Sequence, residues 1–122
     1  MARSRTRIDS PTTRIASTVA ATPDCLYQVP SPQRALRPSR PLTLYVSNIA
    51  GVSTGATAQA FIGVRFASGS GGADWEPVFA PVLNPGDSVS IDLTTEMAEG
   101  DEVVCRCDVT NVVNVTTEIG TL

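Results

Sequence analysis

Beyond Pro41 the chain alternates apolar and polar residues in short runs. Leu42, Leu44 and Val46 take turns with Thr43, Tyr45 and Ser47, the mark of a strand with one buried and one wet face. Ala58, Ala60, Ile62, Val64 and Phe66 alternate with Gln59, Phe61, Gly63 and Arg65, giving the longest strand candidate. Residues 78–83 form another, confined to a sheet edge by Pro77 and Pro81, which lack the amide donor a central strand needs. Three more runs follow. Their inward rows are Val89, Ile91, Leu93, then Val103, Cys105, Cys107, Val109, then Val113, Val115, Thr117, Ile119, and Val104, Arg106 and Asp108 face outward from the second. Ahead of all these, residues 24–29 make a short strand that stops at Pro30-Ser31-Pro32. No stretch keeps the 3.6-residue repeat of a helix.

Turn chemistry separates the runs. Asn84-Pro85-Gly86-Asp87 has proline second and glycine third, as a type II turn requires, and Glu99-Gly100-Asp101-Glu102 repeats the glycine-acid pair before the next strand. The close spacing after residue 84 predicts a tight meander in the C-terminal third. About seven or eight short antiparallel strands with no helix predict an all-β protein, a β-sandwich. A jelly-roll arrangement suits the strand count best, and an immunoglobulin-like order stays open.

Residues 1–22 differ from this body. They are rich in Arg, Ser and Thr, with Ile8, Ile15 and Val19 as isolated apolar points, and they read as an extended basic arm that is mobile by itself and lies across a neighbouring surface. The division is therefore an arm at 1–22 and a sandwich domain at 23–122. Length agrees, since 122 residues supply one core and not two. Charge sharpens the split. Residues 1–40 hold seven Arg against two acids (+5), and residues 41–122 hold two Arg against ten acids (−8), which together give the net −3. An acidic body with a basic arm calls for a negatively charged companion, with another subunit first among the candidates. Arg3, Arg5, Arg7 and Arg14 carry the arm's charge. Arg34, Arg37 and Arg40 recur every third residue among prolines, the period of a polyproline helix, and line either one positive edge or a solvated loop.

The composition argues against catalysis. Histidine and lysine are both absent, so the serines and threonines lack a general base, and no glycine-rich phosphate cradle precedes a helix. Cys25, Cys105 and Cys107 are odd in number, and the last two share one strand face as small core residues; no metal or cofactor is called for. Glu96, Glu99, Asp101 and Glu102 cluster without the spacing of a calcium loop and read as a solvated rim. Nucleic acid is a poor partner, because no aromatic residue interleaves the arginines and the body is acidic. Neither a signal peptide nor a run of ~20 apolar residues appears, so the expectation is a soluble, unprocessed chain. Trp75, the sole tryptophan, sits between Asp74 and Glu76 beside a Gly/Ser loop, a context that fits packing under the loop or a sugar-binding surface.

Leu26-Tyr27-Gln28-Val29-Pro30, the strand that ends at Ser47-Asn48, and the turns at Gly86-Asp87 and Gly100-Asp101 occur in an order that resembles the small β-sandwich structural proteins of tailed bacteriophages. The likeness covers residues 24–122. This chain departs from the pattern after Pro30, where the arginine-rich segment stands in place of a frequent glycine. The resemblance implies a non-enzymatic virion protein, foremost a capsid decoration or cement protein. It would form a homo-oligomer, a trimer among the closed forms, and contact a major capsid or tail protein through the seven arm and loop arginines. Its alternative is a tail, neck or fibre accessory module that binds a host-surface glycan through Trp75.

Overall fold

The computed structural model describes residues 6–7, 12–30, 35–36, 41–51, 55–67 and 75–121. Ten strand segments and no helix occur among them: β1 (Thr6–Arg7), β2 (Thr12–Arg14), β3 (Asp24–Gln28), β4 (Leu42–Asn48), β5 (Ala58–Arg65), β6 (Glu76–Phe79), β7 (Val82–Leu83), β8 (Ser88–Leu93), β9 (Glu102–Cys107) and β10 (Val113–Thr121). The pairing is nested. β5 pairs with β6, β4 with β8, β3 with β9 and β2 with β10, all antiparallel, as in one long hairpin. Rolling that hairpin over itself adds the pairs β4·β10 and β5·β9. The result is two sheets, β1-β10-β4-β8 with β2 also on β10, and β3-β9-β5-β6 with β7 also on β5. This is the jelly-roll order, a β-sandwich of antiparallel strands.

Alternation places the core where the sequence put it. Leu42, Leu44 and Val46 of β4, with Val113, Val115 and Ile119 of β10 beside them in the same sheet, face Ala60 and Ile62 of β5 and Val103, Cys105 and Cys107 of β9 across the interior, all fully buried. Each valine, leucine or isoleucine hidden in this way contributes about 1.5–3 kcal/mol. Gly86 (φ 88°) and Gly100 (φ 89°) supply the left-handed positions of their turns, which a β-carbon would strain. Asp87 N–H donates to Asn84 C=O, and Asp101 N–H to Ala98 C=O, so the second turn begins one residue earlier than its sequence pattern indicates.

The expected C-terminal meander does not form. β8 and β10 lie in one sheet with β4 between them, while β9 is central in the other sheet. Periodicity decides which side chains face inward and says nothing about which strand lies alongside. Both connections after β8 cross between the sheets. Phe66 also leaves its expected inward row: β5 ends at Arg65 and the ring is exposed.

The N-terminal segment differs from a free arm as well. β2 runs antiparallel along β10, and Ile15, with no exposed surface, joins the core. Ile15 N–H donates to Val113 C=O and Ile15 C=O accepts from Asn111, whereas Ser17 C=O accepts from Cys107 N–H of the other sheet. Residues 12–17 thus seal one side of the sandwich. The Asp24 carboxylate holds this strap in place by accepting the amides of Ala16 (2.7 Å) and Ser17 (3.1 Å), and Thr110 Oγ1 donates to Ala16 C=O. Ile15, read from sequence as a contact for a neighbour, is used by the chain's own core.

Candidate interaction surface

The arginines expected to make contacts fall into three groups. Arg3 and Arg5 lie outside the described residues, as do Arg34, Arg37 and Arg40. Arg7 stands in β1 in register with Gly120, and its side chain is outside the description. Arg14 is exposed at the end of β2 and donates from Nε to Asn114 Oδ1 at 3.2 Å, while Thr12 and Thr116 hydroxyls meet at 2.7 Å on the same outer face. β1 and β2 therefore lay the N-terminal segment along the outer edge of β10, with residues 1–5 upstream of that edge. Between the loop arginines, Leu36 is buried and bridges Met97, whose N–H donates to Leu36 C=O. A cavity of about 450 Å³ beside this bridge is lined by Ala35, Leu36, Glu96, Met97, Ala98 and Asp101.

The acidic cluster read from sequence separates in space. Asp101 is buried, and its two carboxylate oxygens accept the amides of Ala67 and Ala98, each at 2.9 Å. Glu102 faces outward and takes a two-nitrogen hydrogen bond from Arg65 across β5 and β9, at 3.0 and 2.9 Å. Glu96 and Glu99 are exposed. Four residues from Arg65 along β5 is Phe61, and its partner in register, Arg106, lies 4.1 Å above the ring, so both of the body's arginines are engaged on the outer face of the second sheet.

Trp75 is half-buried. Its indole N–H donates to Ala20 C=O at 2.7 Å, and its ring lies on Gly63, where a β-carbon would collide with the ring and with the Glu76 carbonyl. The tryptophan fastens the residues that follow the strap onto the second sheet. Val104, in register with Gly63, is fully buried although it belongs to an outward row. Cys105 and Cys107 are buried in the core; their mutual hydrogen bond, followed by burial, raises the Cys105 thiol above its ordinary range. Cys25 is exposed as a residue, but burial of its thiol, and next the hydrogen bond to Glu102, push it up to about 11. A thiol so raised is a poor nucleophile at neutral pH.

Sequence reasoning missed the polar residues that hold the loops. Asn48 is buried at the end of β4: Nδ2 donates to Ala56 and Leu83 carbonyls, both at 2.9 Å, and Oδ1 accepts from Ala50 N–H at 2.9 Å. Its position at a strand end on the inward row was the available signal, since an amide there needs three partners to be buried. No model of a known protein family matches the chain, and no curated protein is similar to it in sequence.

Proposed function

We propose that this chain is a non-enzymatic structural protein of a tailed-bacteriophage virion, a capsid decoration or cement protein whose basic N-terminal segment fastens an acidic jelly-roll body to its neighbours. One observation carries the reading. Residues 12–17 are built into the seam of the sandwich, so Arg3, Arg5 and Arg7 lie just upstream of a fixed anchor on the edge of a body that is strongly acidic. An anchored basic segment gains backbone hydrogen bonds and ion pairs on a neighbour without needing a preformed pocket. The sequence offers no histidine or lysine to serve as a base, in keeping with a role in assembly.

The tail-module alternative has less support. Binding of a glycan through Trp75 would require the indole that the fold already commits to Gly63 and Ala20.

The test must spare the strap, because deleting residues 2–20 removes Ile15 along with the arginines. Particles produced with Arg3, Arg5 and Arg7 replaced by serine should carry about tenfold fewer copies of the chain than wild type, while the purified variant melts as before. Undiminished incorporation would overturn the proposal.

A further inference from the structure

We propose that the edge of β8 that no described strand covers is the seat for the N-terminal arginines of a second copy of this chain, which add a strand there. The inference rests on the assembly role above and names its partner.

Sheet edges are normally blunted against pairing with other chains. Three of the four edges here are. β3 has a register shift between Cys25 and Tyr27 and lies between Pro23 and Pro30. β6 and β7 are broken by Pro77 and Pro81 and a second register shift. β1 and β2 are two and three residues long. β8 alone is regular: its six residues stay in step with β4 from Leu42↔Leu93 to Ser47↔Ser88, with no proline, bulge or positive charge. Asn48 N–H donates toward β8, to Asp87 C=O, and Ile49 N–H donates toward β10, to Val112 C=O. That alternation bonds Val89, Ile91 and Leu93 to β4 and turns the N–H and C=O of Ser88, Ser90 and Asp92 off the edge. No described strand meets them. Val89, on the core-facing row, is 37% exposed where its partner Val46 is fully buried.

Charge identifies the occupant. Residues 66–105 contain acids and not one arginine or lysine, and β8 with Asp87 and Asp92 lies in the middle of this stretch. In the arm, Arg3 and Arg5 alternate with Ala2 and Ser4. An extended chain of that pattern sends both guanidinium groups to one face, beside Ser90 and Asp92, and the small residues to the other, over Val89 and Ile91.

Reach makes the contact intermolecular. β1 and β8 stand at opposite ends of their sheet, three strand spacings or about 14 Å apart. Residues 1–5 span about 17 Å at most, so crossing the sheet leaves no length to pair along β8 of the same chain. Reciprocal exchange of arms closes a dimer, and head-to-tail exchange closes a ring.

Sedimentation velocity on the purified full-length chain at about 50 mM and about 500 mM salt tests this. Self-association should weaken at least about tenfold at high salt. It should weaken similarly in R3E/R5E and in D92R, and recover when the three changes are combined. Amides of Ser90 and Asp92 should exchange more slowly in wild type than in R3E/R5E, a variant that leaves every described contact intact. A chain that is monomeric throughout overturns the proposal. So does association that R3E/R5E leaves unchanged, which would assign the edge to a second β8 or to another surface. No particle enters this assay, so a chain that self-associates this way but never joins a virion defeats only the proposed function; one that joins as a monomer defeats only this inference.

Discussion

Replacing Ile15 with alanine should cost the domain about 3–4 kcal/mol. The side chain has no exposed surface and belongs to the core cluster, so the substitution removes three buried carbons and leaves a cavity at the seam of the two sheets. Large-to-small changes at such sites cost about 2–5 kcal/mol, and isoleucine to valine only about 1. A domain of this size is stable by about 5–15 kcal/mol in total. Urea unfolding followed by far-ultraviolet circular dichroism should show a lower midpoint with an unchanged slope for Ile15→Ala, and a small shift for Ile15→Val. Trp75 fluorescence gives a second probe on the same seam, because its indole bonds to Ala20. Truncation separates the segment's two roles. Removing residues 2–5 should leave the melting temperature within about 2 °C of the full chain. Removing residues 2–17 also deletes the bonds to Val113, Asn111 and Cys107, and should abolish cooperative unfolding. A 2–17 deletion that melts like the full chain would refute the sealing role of the strap.

Asn48→Ala should lower stability by about 2–4 kcal/mol in the same urea assay, since it strands two carbonyls and an amide at one end of the sandwich; a change below about 1 kcal/mol would mean water replaces the side chain without loss. Thr117→Val should stabilise by about 1–2 kcal/mol, because the Thr117 hydroxyl is buried without a hydrogen-bond partner among the described residues; a loss of stability on calorimetry would contradict this. Cys25, raised from 9.0 to about 11, should react with iodoacetamide at pH 8 about 100-fold more slowly than an unperturbed thiol. The unfolded chain releases that proton first, so this group's contribution to stability is whole below pH 9 and falls away as pH climbs to about 11. Labelling at the rate of a free thiol would refute that environment.

Much of the fold was legible in the sequence because burial in a two-sheet protein imposes a period of two. The inward rows of β4, β9 and β10 and the glycines of the two turns follow from this rule, whereas in the row expected for β8 Leu93 is buried, Ile91 partly so and Val89 exposed, because β8 lies at the sheet edge. Strand neighbours were not legible, and so the meander was expected where the chain crosses between sheets. A hydrogen-bonded ladder leaves no mark on composition, and β9 and β10 look alike whether they pair with each other or with β5 and β4.

The N-terminal segment shows a second limit. A single apolar residue among polar ones reads as a surface contact, and Ile15 becomes a core residue only because the seam between the sheets needs one plug at that height. Trp75 was open between fold and function for a similar reason. The glycine that receives its ring lies twelve residues away, and the carbonyl that receives its N–H lies fifty-five away. The polar anchors Asn48 and Asp101 were missed because each satisfies a backbone group more than thirty residues away, and Asp24 because its partners, Ala16 and Ser17, lie in a segment that reads as a free arm.

The most direct measurement is an image, by electron cryo-microscopy, of the intact particle assembled with this chain. The account predicts a two-sheet density on the outside of the capsid, with the β1 and β2 edge turned toward an acidic surface of its neighbour. A particle complete without the chain, or one that holds it with that edge facing solvent, would contradict it.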